Sequence, residues 1–278
     1  MKRIISLFAI LVSMAAMGLS SAQAAIRSYD LKGFNKLEIS WVFNVEVTRG
    51  DSWAVDIDVT DEALPYVEVK VSDNILSLSA ENLPKSLTSQ RNWNPVAKAR
   101  ITMPQLAGVR MSGASKLCVA DGFKYDGDFE IMASGAVVIS KLNTEAKKLA
   151  LDCCGAAKLN LGGTFEVVSF DISGASKISA NIIAGAADIE AAGAAGIKVT
   201  GKAGRFDLSC AGACDINLLK TDVNTSRIGL SGAAKCSVNV LEKLTVELSG
   251  ASSCRYADNA GLKLNVVSIG RGASLKKL

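Results

Sequence analysis

Nine copies of the dipeptide Gly-Ala form a series from Gly113 to Gly272 with a regular spacing of 18 to 22 residues. Apolar residues return at fixed offsets around each copy, four positions before and four positions after the glycine. A regular repeat of this length is typical of a solenoid, in which each repeat buries its apolar face only against its neighbours. This feature constrains the architecture far more than the function.

Aligning the copies on the glycine produces columns of apolar residues. The column four positions before it contains Val109, Ile131, Leu151, Phe170, Ile189, Leu208, Ile228 and Val246. The column four positions after it contains Leu117, Ile139, Leu159, Ile178, Ile197, Ile216, Cys236 and Cys254. The ninth copy interrupts both columns with Ser268 and Lys276.

Apolar and polar residues alternate at period two within the repeats, as in Leu151-Asp152-Cys153, which favours strands over the helices of a helical solenoid. We therefore predict an all-β fold, a parallel β-helix in which equal offsets lie above one another at the strand spacing of about 4.8 Å. The Gly-Ala pair is predicted to form a corner, where glycine tolerates a positive φ.

Composition changes near residue 105. All four prolines and all three tryptophans precede this point, and all seven cysteines follow it. Period-two segments before it predict strands at Leu37/Ile39, Val45/Val47, Val55/Ile57/Val59, Val67/Val69/Val71, Leu76/Leu78 and Ile101/Met103. We predict that residues 25–105 form a β-rich capping region and residues 106–278 form the repeated coils. Glu81 to Lys98 is predicted as the longest loop, and its Trp93 fits no predicted strand.

Residues 1–24 have the features of a signal peptide: Lys2 and Arg3, an apolar run, and Ala22-Gln23-Ala24 as a cleavage site. We therefore expect an exported protein in the periplasm, on the cell surface or outside the cell, with no integral membrane segment in the mature chain. Removing residues 1–24 lowers the formal net charge from +4 to +2, a balance that argues against a nucleic acid partner.

Ser-Gly-Ala-Ser and Ser-Gly-Ala-Ala tetrapeptides mark several of the repeats: Ser112–Ser115, Ser173–Ser176, Ser231–Ala234 and Ser249–Ser252. With the strand-rich leader they resemble the family described as putative auto-transporter adhesin, head GIN domain (DUF2807), which is common in Bacteroidetes. The resemblance extends from about Phe34 to the end of the sequence. It implies a right-handed β-helix, a secreted or surface location and an adhesin-like role.

Catalytic chemistry has little support, because the chain has no histidine, the commonest general acid or base and the commonest metal ligand. We expect no catalytic, cofactor-binding or metal site. The sharpest enzymatic alternative is a polysaccharide lyase or hydrolase using Asp152, Asp171 and Glu190, three positions before the glycine in consecutive coils, as a Ca²⁺ ladder. A neighbouring outward column offers Lys116, Lys158, Lys177 and Lys235, and a solvated ladder with scattered ion pairs is the simpler interpretation.

The cysteines number seven: Cys118, Cys153, Cys154, Cys210, Cys214, Cys236 and Cys254. An odd number in an exported protein leaves at least one thiol unpaired. Cys153, Cys210, Cys236 and Cys254 fall in inward columns, where cysteine serves as a small apolar residue. A disulfide between Cys236 and Cys254 or between Cys210 and Cys214 remains open at this point.

Three functions follow as hypotheses. The first is a non-enzymatic secreted or cell-surface module for adhesin-like binding or scaffolding, with an extracellular protein or a glycan as partner. The second is the polysaccharide-active enzyme, and the third is a structural envelope protein acting by self-association of its ends. The leader is predicted to cap one end, and Ser274-Leu275-Lys276-Lys277 resembles a polar stop at the other.

Overall fold

A computed structural model describes residues 26–89, 93 and 95–278, so the predicted signal peptide lies outside the described residues. The chain is a β-solenoid of about 8 turns, with 69% of residues in strands and 3% in helices. The predicted fold class is confirmed. In the described residues, no helix is both long and apolar enough to span a bilayer.

The strands before the first repeat are short. They are β1 (Arg27–Tyr29), β2 (Lys36–Ile39), β3 (Asn44–Arg49), β4 (Ala54–Val59), β5 (Val67–Ser72), β6 (Ile75–Ala80) and β7 (Ala97–Met103), with a 3-10 turn at Leu64–Tyr66 and the short helix α1 (Lys85–Thr88). All six strands predicted in this region are present, as β2 to β7.

The strands of the repeats lengthen until one strand nearly fills a coil. They are β8 (Gly108–Met111), β9 (Lys116–Val119), β10 (Phe123–Lys124), β11 (Asp128–Gly135), β12 (Val138–Gly155), β13 (Lys158–Gly174), β14 (Lys177–Gly193), β15 (Gly196–Gly212), β16 (Asp215–Gly232), β17 (Lys235–Leu248), β18 (Ser253–Tyr256), β19 (Lys263–Ile269) and β20 (Ser274–Lys277).

Two sheets run the length of the solenoid. Sheet I contains, in spatial order, β5, β6, β2, β8, β11, the C-terminal halves of β12 to β17, and β19. Sheet II contains β1, β4, β7, β3, β9, the N-terminal parts of β12 to β17, β18 and β20. From β6 and β7 onward, neighbouring strands in both sheets are parallel.

The apolar columns form the core between these sheets. Ile178, Ile197 and Ile216 are direct Cα partners on consecutive strands, and each is at most 2% exposed. The eight residues of each predicted column are buried as well. Burying an aliphatic side chain of this size contributes about 1.5–3 kcal/mol, so the stacked columns are the main stabilising element of the coil.

The glycine of each repeat occupies a corner between sheet I and sheet II. The first eight of these glycines have φ between 67° and 140°. The backbone N–H of Ala175 donates to the carbonyl oxygen of Gly155 in the preceding coil at 2.9 Å, and a Cβ on Gly174 would lie 2.5 Å from the same oxygen. The corner therefore requires glycine for two reasons, the left-handed backbone and the close approach of the next coil.

The first corner is occupied by Trp41 instead of glycine. Its φ is 60°, and its carbonyl oxygen accepts the N–H of Ala114 at 2.7 Å, as the glycine carbonyls do in later coils. The Trp41 ring packs against Trp93 at a centroid distance of 6.2 Å, which places the aromatic residue that fitted no predicted strand. Because β2 and β3 pair in parallel with β8 and β9, coil pairing already begins around this corner, before the first Gly-Ala copy.

The N-terminal end of the solenoid is covered by antiparallel strands. β5 pairs with β6, β4 pairs with β7, and β1 pairs with β4, all antiparallel. The connection from β4 to β5 crosses from sheet II to sheet I, and it buries Ala63 completely and packs Leu64 on the core.

At the C-terminal end, the structure differs from two predictions, the interruption of the apolar columns in the ninth copy and the polar stop. The columns continue through the ninth copy, because Val246 pairs with Val266 and Cys254 pairs with Leu275, whereas Ser268 and Lys276 pair with outward residues. A register shift between Val246 and Glu247 moves the residues of β19 off the simple glycine-based numbering. The predicted polar stop is therefore wrong in part. All residues of β19 are exposed, including its apolar ones, because no described strand covers this last coil.

Candidate functional surface

The acidic residues predicted from the sequence form a ladder on the outer face of sheet I. Asp152 pairs with Asp171, and Asp171 pairs with Glu190, on consecutive strands, and all three are exposed. The Cα atoms of neighbouring acidic residues in the ladder are about 4.8 Å apart, which is the spacing between paired strands. In the described part of the chain, none of them forms an ion pair and no group of three acidic or cysteine residues converges as a metal site.

A shallow groove continues this ladder towards the C-terminal end. Its volume is about 180 Å³, and its polar lining consists of Asp188, Asp207, Ser209, Arg227, Thr245 and Glu247. Ser209 and Gly229 follow Glu190 in the same column, and their small size leaves room between the flanking charged side chains. The groove was not predicted, because no repeated residue type marks it in the sequence.

Asp207 is the most constrained acid of the groove. Its carboxylate lies 3.2 Å from the Nε atom of Arg205, and it also accepts the backbone N–H of Arg227 at 3.2 Å. Asp188, its partner on the preceding strand, is exposed. The groove therefore places a paired acid, an exposed acid and the exposed Arg227 side by side on the outside of the sheet.

The predicted lysine column is shorter than the sequence suggested. Lys158 pairs directly with Lys177, whereas Val138 separates Lys116 from Lys158, and Gly196 and Asp215 lie between Lys177 and Lys235. Lys158 and Lys177 are exposed on sheet II, on the other side of the glycine corner from the acidic ladder. We call the set Asp152, Asp171, Glu190, Lys158 and Lys177 the charged corner.

The second serines of the Ser-Gly-Ala-Ser tetrapeptides are inaccessible as nucleophiles. The second serine of each Ser-Gly-Ala-Ser copy faces the core, and Ser115, Ser176 and Ser252 are at most 3% exposed. The Ser176 hydroxyl donates to the Gly155 carbonyl oxygen at 3.2 Å and lies 3.2 Å from the Cys153 sulfur. These buried hydroxyls fill the space beside the corner and are out of reach of a substrate.

One of the two open disulfides is formed. Cys210 and Cys214 are bonded across the corner with a Cα–Cα distance of 6.6 Å, whereas Cys236 and Cys254 are buried free thiols on paired strands. A hydrogen bond with Cys254, together with burial, raises the pKa of the Cys236 thiol well above its usual value.

The remaining free thiols differ in their surroundings. Burial raises the pKa of Cys153, although its contact with Ser176 acts in the opposite direction. Cys154 is exposed and Cys118 is partly exposed. A low thiol pKa is what a reactive cysteine needs, so the buried thiols serve as core residues, as predicted.

Aromatic residues are withdrawn from the surface. Every phenylalanine of the repeats is buried, Tyr125 and Tyr256 are half-buried, and among all the residues described no aromatic side chain is exposed. Sugar-binding sites commonly offer an aromatic platform to the ring of the sugar. The outer faces of the coils present charged, hydroxyl and amide side chains instead.

Comparison with known proteins agrees with this architecture. The model of the family "Putative auto-transporter adhesin, head GIN domain" matches residues 33–193 and 178–260. No curated protein sequence matches the chain.

Similar solved structures extend over almost the whole chain. A putative adhesin from Parabacteroides distasonis superposes with a TM-score of 0.67 at 17% identity, covering 91% of this chain and 96% of the other. A putative adhesin from Parabacteroides merdae and a putative lipid binding protein from P. distasonis each give a TM-score of 0.64 at 14% identity, covering 92% of this chain and 97% of theirs. At these identities the likeness shows a shared fold.

Proposed function

Because this chain belongs to the family of putative auto-transporter adhesins with a head GIN domain, we propose that it is an exported, non-enzymatic binding module that holds its partner on the outer faces of the solenoid. The observation that carries the proposal is the charged corner, where exposed carboxylates and lysines stand in register on a tightly packed core. Rows of this kind present the same charge at equal steps along the axis. A partner with a complementary row of charges would gain specificity and association rate from them.

The lack of histidine as a general acid or base favours binding over catalysis. With no histidine in the chain, proton transfer would fall to the carboxylates of the acidic ladder or to the lysines. The ladder lies on an open sheet face, and the groove beside it is shallow, so neither encloses a substrate and excludes water as catalytic sites do. The lyase alternative uses the same three acids and makes an opposite prediction, which the experiment below includes.

An extracellular protein is the partner class that the surface supports best. Charged and hydroxyl groups dominate the charged corner and the groove, and the described faces lack the exposed aromatic residues that carbohydrate sites use. The predicted signal peptide is consistent with export to the periplasm, the cell surface or the medium, where such a partner would be met.

The experiment compares binding by the wild-type protein and by the double variant Asp171→Lys/Glu190→Lys. Immobilised collagen, fibronectin and laminin serve as protein probes, and a glycan array serves as the carbohydrate probe. We expect saturable binding to at least one protein probe, weakened about tenfold or more by the double variant, because reversing two charges replaces attraction by repulsion. The control Glu46→Lys reverses one exposed acid on sheet II away from the charged corner and should bind like the wild type.

Enzymatic activity is measured on the same samples. Ca²⁺-dependent cleavage of a polysaccharide that disappears in Asp171→Ala would replace the binding proposal by the lyase alternative. Binding confined to glycans would contradict the protein partner, and failure to bind any probe would contradict the adhesin-like role.

A further inference from the structure

Free strand edges lie at both ends of the solenoid. In sheet I the outermost strands are β5 and β19, and in sheet II they are β1 and β20. Within residues 26–89, 93 and 95–278, each of these four strands pairs with a single neighbour, so each has one unpaired edge there. We propose that the C-terminal end of one molecule stacks on the N-terminal end of a second copy, with β19 of the first pairing with β5 of the second.

Strand directions allow both sheets to continue across such a junction. β5 runs antiparallel to β6, which is parallel to the other strands of sheet I, so an incoming β5 would run antiparallel to β19. β1 is antiparallel to β4 and β4 is antiparallel to β7, so an incoming β1 would run parallel to β20. Both are ordinary pairings, and the lengths of β5 and β19, six and seven residues, are matched.

Apolar side chains are available on both surfaces. Leu264, Val266 and Ile269 continue three separate columns, each of which is buried in the preceding strand β17, yet they are 39%, 43% and 44% exposed because no described strand covers the last coil. At the other end, the alternate residues Val67, Val69 and Val71 of β5 are only half-buried. Stacking one row on the other would remove apolar surface from water on both molecules.

Charge distinguishes this arrangement from a contact between like ends. Residues 51–81, which include β4, β5 and their connection, carry eight carboxylates and one lysine. Residues 255–278 carry five basic residues and one aspartate. Two C-terminal ends would repel each other, whereas a C-terminal end and an N-terminal end attract.

A contact between two unlike ends determines how many copies can associate. The two surfaces are different, so the contact is heterologous, and coaxial stacking does not close on itself. Association should therefore continue beyond the dimer. A dimer between like ends would instead stop at two copies.

Sedimentation velocity of the full chain over a range of concentrations tests the proposal. At low ionic strength we expect the average mass to rise past that of a dimer with concentration. At about 1 M salt, where the Debye length falls to about 3 Å, we expect it to fall. Monomer at all concentrations, or a salt-resistant species that stops at two copies, would overturn the proposal.

Charge exchange between the two ends makes the test specific. The cap variant Asp61→Lys/Glu62→Lys and the end variant Lys263→Glu/Lys276→Glu change exposed side chains, so folding should be preserved, which circular dichroism verifies. Each variant alone should associate at least about tenfold more weakly, a loss of about 1.4 kcal/mol. Mixing the two should restore association, because the unchanged acidic cap of the end variant then meets the unchanged basic end of the cap variant.

The control Lys198→Glu changes an exposed residue of sheet II outside the charged corner and should associate like the wild type. Variants that associate normally on their own, or a mixture that stays monomeric, would contradict pairing between opposite ends. Binding to the extracellular probes is scored separately and on different residues, so either proposal can fail while the other stands.

Discussion

The two ends of the solenoid differ in how well their apolar side chains are covered. At the N-terminal end, antiparallel strands and the β4–β5 connection cover the first coil, so Leu76 and Leu78 of β6 are fully buried. At the C-terminal end the columns simply stop, and Leu264 and Val266 remain exposed in positions that are buried one coil earlier. A core column therefore stabilises the fold only where a further layer covers it, because burial comes from the neighbouring coil and not from the repeat itself.

The largest effect is expected at the glycine corners. Gly193→Ala places a methyl group 2.7 Å from the Gly174 carbonyl oxygen at a φ of 107°, and coils on both sides prevent relaxation. We expect a loss of about 3 kcal/mol or more in unfolding free energy, since a non-glycine residue in a strained backbone region alone costs about 1–3 kcal/mol. The measurement is urea unfolding.

Gly272→Ala changes the corner glycine at the open end, which lacks the positive φ of Gly193. Its new Cβ would lie 2.6 Å from the Gly250 carbonyl oxygen, but no described coil presses on it from the other side, so the last coil can move away. We expect a loss below about 1 kcal/mol. Equal losses at the two glycines would show that the end is held as rigidly as the middle.

A pair of leucines compares the ends directly. Leu76→Ala removes a fully buried side chain beneath the cap and should cost about 2–5 kcal/mol, whereas Leu264→Ala removes one that is 39% exposed and should cost about 1 kcal/mol or less. Urea unfolding at low protein concentration keeps association between copies from adding to the stability of either protein. Similar costs would indicate that the open end is covered in solution.

The smallest effect concerns the buried thiols. Maleimide labelling followed by peptide mass spectrometry should modify Cys154 first, and Cys254 near the open end faster than Cys153 in the middle of the solenoid, because end coils open locally at a lower free energy. Cys153 and Cys236 have pKa values raised in the folded chain, so their labelling should increase with pH. Equal rates for Cys153 and Cys254 would contradict fraying at the end.

The raised pKa values of these thiols predict how the stability of the fold changes with pH. A pKa that is higher in the folded chain than in the unfolded chain means that folding holds the thiol protonated. The stabilisation is fully present below the unfolded pKa, about 8.5 for cysteine, and it is lost as pH rises through the folded value. We therefore expect the urea midpoint to decrease above about pH 8.5.

The repeat made the architecture predictable to the level of single residues. Columns based on the glycine gave the correct neighbours for Ile178, Ile197 and Ile216, because each coil returns to the same angular position after one repeat. The glycine-based columns failed at Ser268, where β19 contains a register shift, and at Lys276, where the chain after Gly272 reaches the column one residue earlier, at Leu275. Offsets record the length of chain between two residues and contain no information about a local bulge.

The candidate surface was only partly predictable. The acidic ladder appeared in the sequence because its members share one offset, whereas the groove joins residues from two neighbouring columns with unlike side chains. The sequence analysis did not identify Trp41 as a corner residue. It occupies the first corner of the solenoid, where the later coils have glycine, so it does not belong to the Gly-Ala series. Recognising it required the pairing of β2 and β3 with β8 and β9.

Along the corners, the alanine N–H of one coil donates to the glycine carbonyl oxygen of the coil before it, and this repetition affects how such proteins can change in length. Every corner from Gly135 to Gly232 offers its neighbours the same carbonyl oxygen and the same missing side chain, so a whole coil could be duplicated or deleted there and the flanking coils would meet an identical surface. Trp41 cannot be exchanged in this way, since its ring packs against Trp93, which precedes the repeats. Gene duplication could thus set the reach of the molecule one layer at a time, while its first layer stays fixed.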